Sequence, residues 1–266
     1  MSIVQSMLFA LVGFFASVAG AICGIGGGVI MKPALDLFGW ASVSTISFLS
    51  GCTVLAMSCY SVIKCMLAKE QSVNLKTATP LAFGAAVGGV LGKQMFSAVK
   101  NSLPNPDMVG GVQAACLLVI TLLTLLYTLN KEKISTLQVT SLVACGTIGV
   151  LLGIMSSFLG IGGGPINLVV LYFFFGMDTK TAAANSLYII LFSQATSFAT
   201  TLITRTVPQF TAITLVLMVF SGILGGAAGR IVNKQMDNQR VEKLFVGLMG
   251  LIILASAYNT WQYMMP

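Results

Sequence analysis

Eight apolar runs of bilayer length constrain this chain more than any other feature. They lie at 3–23, 42–66, 75–99, 108–129, 135–159, 181–203, 206–232 and 241–264. A hydrocarbon core about 30 Å thick needs about 20 apolar residues to cross as helix. Because lipid offers backbone amides no partner, each run must satisfy its own, which makes these runs helices. Of 266 residues 56% are hydrophobic and 8% charged, against about 25% charged in soluble domains. The expected fold is therefore an all-α polytopic membrane protein. Connections such as 130–133 and 234–238 are short and polar and leave no room for a soluble domain. The first run has no basic start and is too long for the apolar part of a signal peptide, so it is expected to be retained.

Two of these runs end in the same way, at Gly24-Ile25-Gly26-Gly27-Gly28 and at Gly160-Ile161-Gly162-Gly163-Gly164. Each glycine costs a helix about 1 kcal/mol against alanine. At membrane depth such a break is tolerated only where it is buried in protein or lines a watery cavity. After the breaks, 29–38 and 165–175 read as short helices, with Pro165 suited to a first helical turn. A helix N-terminus offers unpaired N–H donors and a partial positive charge, so two of them meeting would bind an anion. The alternative is that the glycines only let helices pack closely.

The halves repeat each other. Gly24 and Gly160 stand 136 residues apart, Gly39 and Gly176 137, Gly88 and Gly225 137, and Gly111 and Gly247 136. The expected organisation is two homologous repeats, 1–133 and 134–266, in one integral membrane domain. Each holds four full transmembrane helices plus one short helix after the break. Gly88 with Gly92 and Gly225 with Gly229 read as packing pairs, and the adjacent Lys93 and Arg230 as side chains snorkelling to an interface. There are eight spans if the short segments stop part-way and ten if they cross. Their reach, roughly 30 Å, is enough to cross, and five crossings per half would make the repeats inverted. With the N-terminus outside, ten crossings put ten of the 14 cations on the cytoplasmic side and eight crossings put eight there. The positive-inside rule favours the larger excess.

The chain has no histidine, which removes Ser-His-Asp and Cys-His nucleophiles and His-based metal sites. Its six cysteines show no Cys-x-x-Cys spacing, and only Cys23 abuts a break. No enzyme activity, metal or cofactor is expected. The net charge of +7 is spread over short connections, which argues against a nucleic-acid partner. All seven acids, Asp36, Glu70, Asp107, Glu132, Asp178, Asp237 and Glu242, fall at or near expected connections, so a side-chain proton relay lacks parts. An anion carrier lacks nothing, since a negative cytoplasm drives an anion outward by about 2.3 kcal/mol per charge per 100 mV.

The doubled Gly-Ile-Gly-Gly-Gly, followed in the second copy by Pro165, Gly176 and Ala184-Asn185-Ser186-Leu187, resembles the sulfite exporter TauE/SafE family over essentially the whole chain. This family is also called the toluene-sulfonate uptake permease family. The resemblance implies a carrier of the prokaryotic cytoplasmic (inner) membrane, usually described as eight helices from a duplicated four-helix unit. Its implied cargo is sulfite, sulfonates or related sulfur-containing organic anions. The family's Ala-Gly-Thr-Ser pattern is Ala-Asn-Ser here, and the first repeat has Ser47-Phe48-Leu49-Ser50 in its place. Candidate substrate contacts are the amides of Gly26, Gly27, Gly28, Gly162, Gly163 and Gly164, with the side chains of Asn167, Asn185, Ser186 and Gln194. Lys32 reads either as a counter-charge or as a snorkelling side chain. The expected partners are a small anion and the lipid bilayer, and a homo-oligomer is compatible with the sequence. An anion channel and a carrier of non-sulfur organic anions are the alternatives.

Overall fold

The computed structural model describes residues 2–68, 73–103 and 108–264. These form α1 (Ile3–Cys23), α2 (Gly28–Asp36), α3 (Val43–Leu67), α4 (Leu75–Ser102), α5 (Val109–Asn130), α6 (Leu142–Leu159), α7 (Pro165–Phe175), α8 (Thr179–Ile203), α9 (Ala212–Gln235) and α10 (Asn238–Met264). Helix starts follow local chemistry: Ser2 and Gln5 form a capping box on α1, and the Asp178 carboxylate accepts the amides of Lys180 and Thr181 at α8. Seven of the helices are long and apolar enough to cross a membrane. At 28 residues α4 is long enough but is not among the seven; it carries Lys76, Lys93 and Lys100. Large apolar side chains such as Phe15, Leu123, Val143 and Leu254 point outward, while Ser17, Thr53, Asn185 and Gln194 are buried. That inside-out distribution is what a lipid solvent selects.

The helices run in alternating directions. Ser6 pairs with Thr214 at 2.7 Å and Asn233 reaches the Ile22 carbonyl at 2.6 Å, so α1 and α9 are parallel along their whole length. In the same way α4 and α6 are parallel, because Gly84, Gly88 and Gly92 meet the carbonyls of Gly146, Val150 and Ile154 in turn. These packing glycines have their counterparts in α9, where Gly225 and Gly229 meet the carbonyls of Phe14 and Val18. The short helices run back against the helices that precede them. Gly27 lies against Ala16 and Ser17, and Phe9 stacks on Phe38 and Trp40 at 6.4 and 6.2 Å. Ahead of α6, Leu137 and Val139 donate to the carbonyls of Phe173 and Phe174 at the end of α7. This pairing explains why α6 starts at Leu142 and not at 135, since the preceding backbone, with Gln138 in the left-handed region at φ 47°, is hydrogen-bonded to the end of α7.

Asp36 ends α2 beside a connection, as expected, but it is buried, 7% exposed, four residues from the buried Lys32. Glu70 and Asp107 lie outside the described residues. Lys93 and Arg230 differ from the reading as snorkelling side chains. Arg230 donates to the carbonyls of Ser61 and Lys64 near the C-terminus of α3, and the Lys93 ammonium lies 5.3 Å from the Phe96 ring centroid beside a cavity.

Candidate functional site

Each break begins with a left-handed glycine that closes the preceding helix, Gly24 at φ 74° and Gly160 at φ 64°. Within the second break Gly163 sits at φ 132°, a conformation that residues with a Cβ rarely adopt. The chain then re-enters helix, with Pro165 in the first turn of α7, where its missing N–H leaves nothing unpaired. Among the described residues, the amides of Gly26, Gly27 and residues 162–164 make no backbone hydrogen bond.

The two breaks touch. A Cβ on Gly28 would collide with the Ile161 carbonyl, one on Gly26 would stand 3.1 Å from the Gly162 oxygen, and one on Gly163 3.4 Å from the Ile25 oxygen. Between Gly28 and Ile161 the backbones themselves are in contact, so open space flanks this point instead of filling it.

Two cavities provide that space. One, of about 30 Å³, is lined by Ser47, Phe48, Lys93, Ser157, Gly160 and Gln194, among others. It lies toward the face that carries the N-terminus, where Lys100 of α4 meets Ser44 of α3. The other, of about 220 Å³, is lined by Ala21, Val62, Ala183, Lys180, Arg230 and Lys234, among others. It lies toward the opposite face, where Lys180 reaches the Met236 carbonyl. Among the described residues, every charged residue lining either cavity is basic. Their linings correspond in sequence: positions 21 and 157, and 47 and 183, are 136 apart, and positions 93 and 230 are 137 apart. The size difference has a cause at corresponding positions, since Phe48 and Phe198 stack at 6.1 Å in the small cavity where the large one has Ala184 and Val62.

The polar residues expected to bind substrate are placed unevenly. Gln194 lines the small cavity, its Nε2 only 3.4 Å from Ser156 Oγ. Asn167 and Ser186 pair at 3.4 Å, leaving Asn167 Oδ1 buried without a partner. Asn185 has a structural role in this packing: its Oδ1 accepts the amide of Asn74 at 3.0 Å and its Nδ2 donates to the Thr181 carbonyl at 2.7 Å. Lys32 neither snorkels nor lines either of these two cavities. It is 3% exposed and donates to the Leu159 carbonyl at 2.9 Å and to Gln113, which in turn donates to the Phe158 carbonyl. Together they cap α6, whose C-terminal carbonyls carry partial negative charge. That Ser47, Ser157 and Lys93 line one cavity was missed by the sequence reading because they come from three separate helices. The one available signal was the spacing that pairs Lys93 with Arg230. The six cysteines are free, and among the described residues no group of three or more His, Cys, Asp or Glu could hold a metal.

A family model described as sulfite exporter TauE/SafE matches residues 9–256, nearly the whole chain. No curated protein and no solved structure gives a match. The matched stretch contains both breaks and the named lining residues of both cavities. Its apolar helices agree with a family of membrane transporters of the sulfite and sulfonate type, and the chain belongs to the sulfite exporter TauE/SafE family.

Proposed function

We propose that this protein is a secondary carrier that exports small sulfur-containing anions, such as sulfite or small organosulfonates, across a prokaryotic cytoplasmic membrane. The observation that carries the reading is the pair of cation-lined cavities at corresponding positions, one on each side of the touching glycine breaks. Basic lining selects for negative charge. The contact between Gly28 and Ile161 interrupts the path, which favours a carrier over a channel, because a channel needs a continuous opening.

The architecture that goes with this reading is two inverted repeats of five crossings each. Parallel packing of α1 with α9 and of α6 with α4 supports it, since each repeat then lends its first helix to the other. The cytoplasmic face is the one bearing Lys64, Lys131, Lys133, Lys180, Lys234 and Lys243, so the large cavity opens inward. The amides of Gly162, Gly163 and Gly164, with Gln194, are the contacts an anion meets as the breaks part. Membrane potential supplies about 2.3 kcal/mol per charge per 100 mV for outward movement.

A thermal-shift screen of the purified protein against sulfite, sulfate, thiosulfate, taurine, sulfoacetate and simple carboxylates tests the reading. It expects stabilisation by one or more sulfur anions. Stabilisation by carboxylates alone would move the substrate class away from sulfur.

A further inference from the structure

We propose that the small cavity is the binding site for a compact oxyanion, with Lys93 as its counter-charge and the hydroxyls of Ser47 and Ser157 as its directional donors. This rests on the reading of the protein as an anion carrier and names the residues that hold the anion. Three observations converge on it. Ser47 Oγ and Ser157 Oγ are both buried with no hydrogen-bond partner, and both line this cavity. A buried hydroxyl left unpaired costs about 1 to 3 kcal/mol, so two on residues that line one space call for a ligand that accepts from both once their side chains turn toward it. Lys93 lines the same space and, among the described residues, makes no ion pair. A half-buried ammonium attracts any anion that enters more strongly than a fully exposed one would, because less water screens it. Gln194, with only a 3.4 Å contact to Ser156, can turn its amide toward the same point.

Size sets the ligand class. Water needs roughly 10 to 15 Å³ by this measure, so about 30 Å³ holds two or three waters or one small oxyanion such as sulfite. An arenesulfonate does not fit behind the stacked rings of Phe48 and Phe198. The large cavity has alanine at both positions that correspond to these serines, Ala21 and Ala183, so it lacks the donor pair and reads as an approach and not as the seat.

The test is titration calorimetry with sulfite on the detergent-purified full chain, comparing wild type, Lys93→Met, Lys93→Arg and the double variant Ser47→Ala, Ser157→Ala. Thermal unfolding of each confirms that it is folded, and benzenesulfonate serves as the bulky probe. Lys93→Met and the double serine variant should each weaken sulfite binding about tenfold or more, the loss of a hydrogen bond to a charged group. Lys93→Arg should restore most of it, and benzenesulfonate should bind far more weakly than sulfite. Sulfite bound equally by wild type and Lys93→Met would overturn the site while leaving the carrier reading intact. Equal affinity for benzenesulfonate would also overturn it and place the ligand in the large cavity. A wild type that binds no sulfur anion would remove both the site and the reading it rests on.

Discussion

Replacing Gly28 with alanine probes the contact between the breaks at its tightest point. The added Cβ meets the carbonyl oxygen and carbon of Ile161, which are backbone atoms, and Val54 Cγ2 at 3.1 Å. A side chain could rotate away, but a backbone held by two helices cannot, so the breaks must separate. Overpacking of this kind costs about 1 to 3 kcal/mol. Alanine at the first position of α2 returns at most about 1 kcal/mol of helix propensity. We predict a net loss of about 1 to 2 kcal/mol, which in a chain of this size lowers Tm by roughly 2 to 8 °C. Gly146 and Gly247 are the controls, because a Cβ at either meets nothing within 4 Å. Alanine there should stabilise by about 0.5 to 1 kcal/mol, the ordinary gain from removing a helical glycine. Thermal unfolding in one detergent under one set of conditions reads all three. A Gly28→Ala protein as stable as wild type, or one that moves in the same direction as Gly146→Ala, would refute the contact.

Three further predictions concern other parts of the structure. Asn185→Ala should lose about 1 to 3 kcal/mol of stability, because the Asn74 amide loses its acceptor, and should leave sulfite affinity unchanged; an affinity loss at unchanged stability would return Asn185 to the binding site. The Asp178 carboxyl is pushed up by partial burial, but hydrogen bonds from Thr181 and Lys180 outweigh this and hold it below the usual range. It therefore adds stability at neutral pH that is lost only as pH falls below about 4 through the lowered value, and Asp178→Ala should flatten the acid limb of a Tm-against-pH curve; an unchanged limb would contradict this. In a cysteine-free background, a cysteine at position 101 should react with an impermeant thiol reagent in intact cells and one at position 130 should not, whereas the reverse pattern would invert the proposed orientation.

Much of the fold was legible because it depends on local chemistry. Apolar run length gave α1 as 3–23, and Gly164-Pro165 with Gly176 gave α7 as 165–175, both as the structure has them. The packing of Gly88, Gly92, Gly225 and Gly229 was legible too, since small residues four apart leave a groove that another backbone can enter. The start of α6 was not, because Leu137 and Val139 are apolar yet are held out of helix by hydrogen bonds to the end of α7, a partner about 35 residues away in sequence. Nor was the fate of Lys32, whose carbonyl partner lies 127 residues away on α6. Burial of Asp36 could have been suspected from the Lys32 four residues earlier, a spacing that puts the two charges on one helix face. The small cavity escaped detection for a plain reason. Its serines and its lysine sit on α3, α6 and α4, and nothing in one sequence reports that three helices converge.

The most direct test of the central claim is radiolabelled sulfite efflux from proteoliposomes holding the purified protein, followed as a function of internal sulfite concentration with and without an inside-negative potential. A carrier with a compact anion site predicts efflux that saturates with concentration, accelerates with the potential and falls in Lys93→Met. Efflux that rises linearly without saturating, or that does not exceed protein-free liposomes, would contradict it.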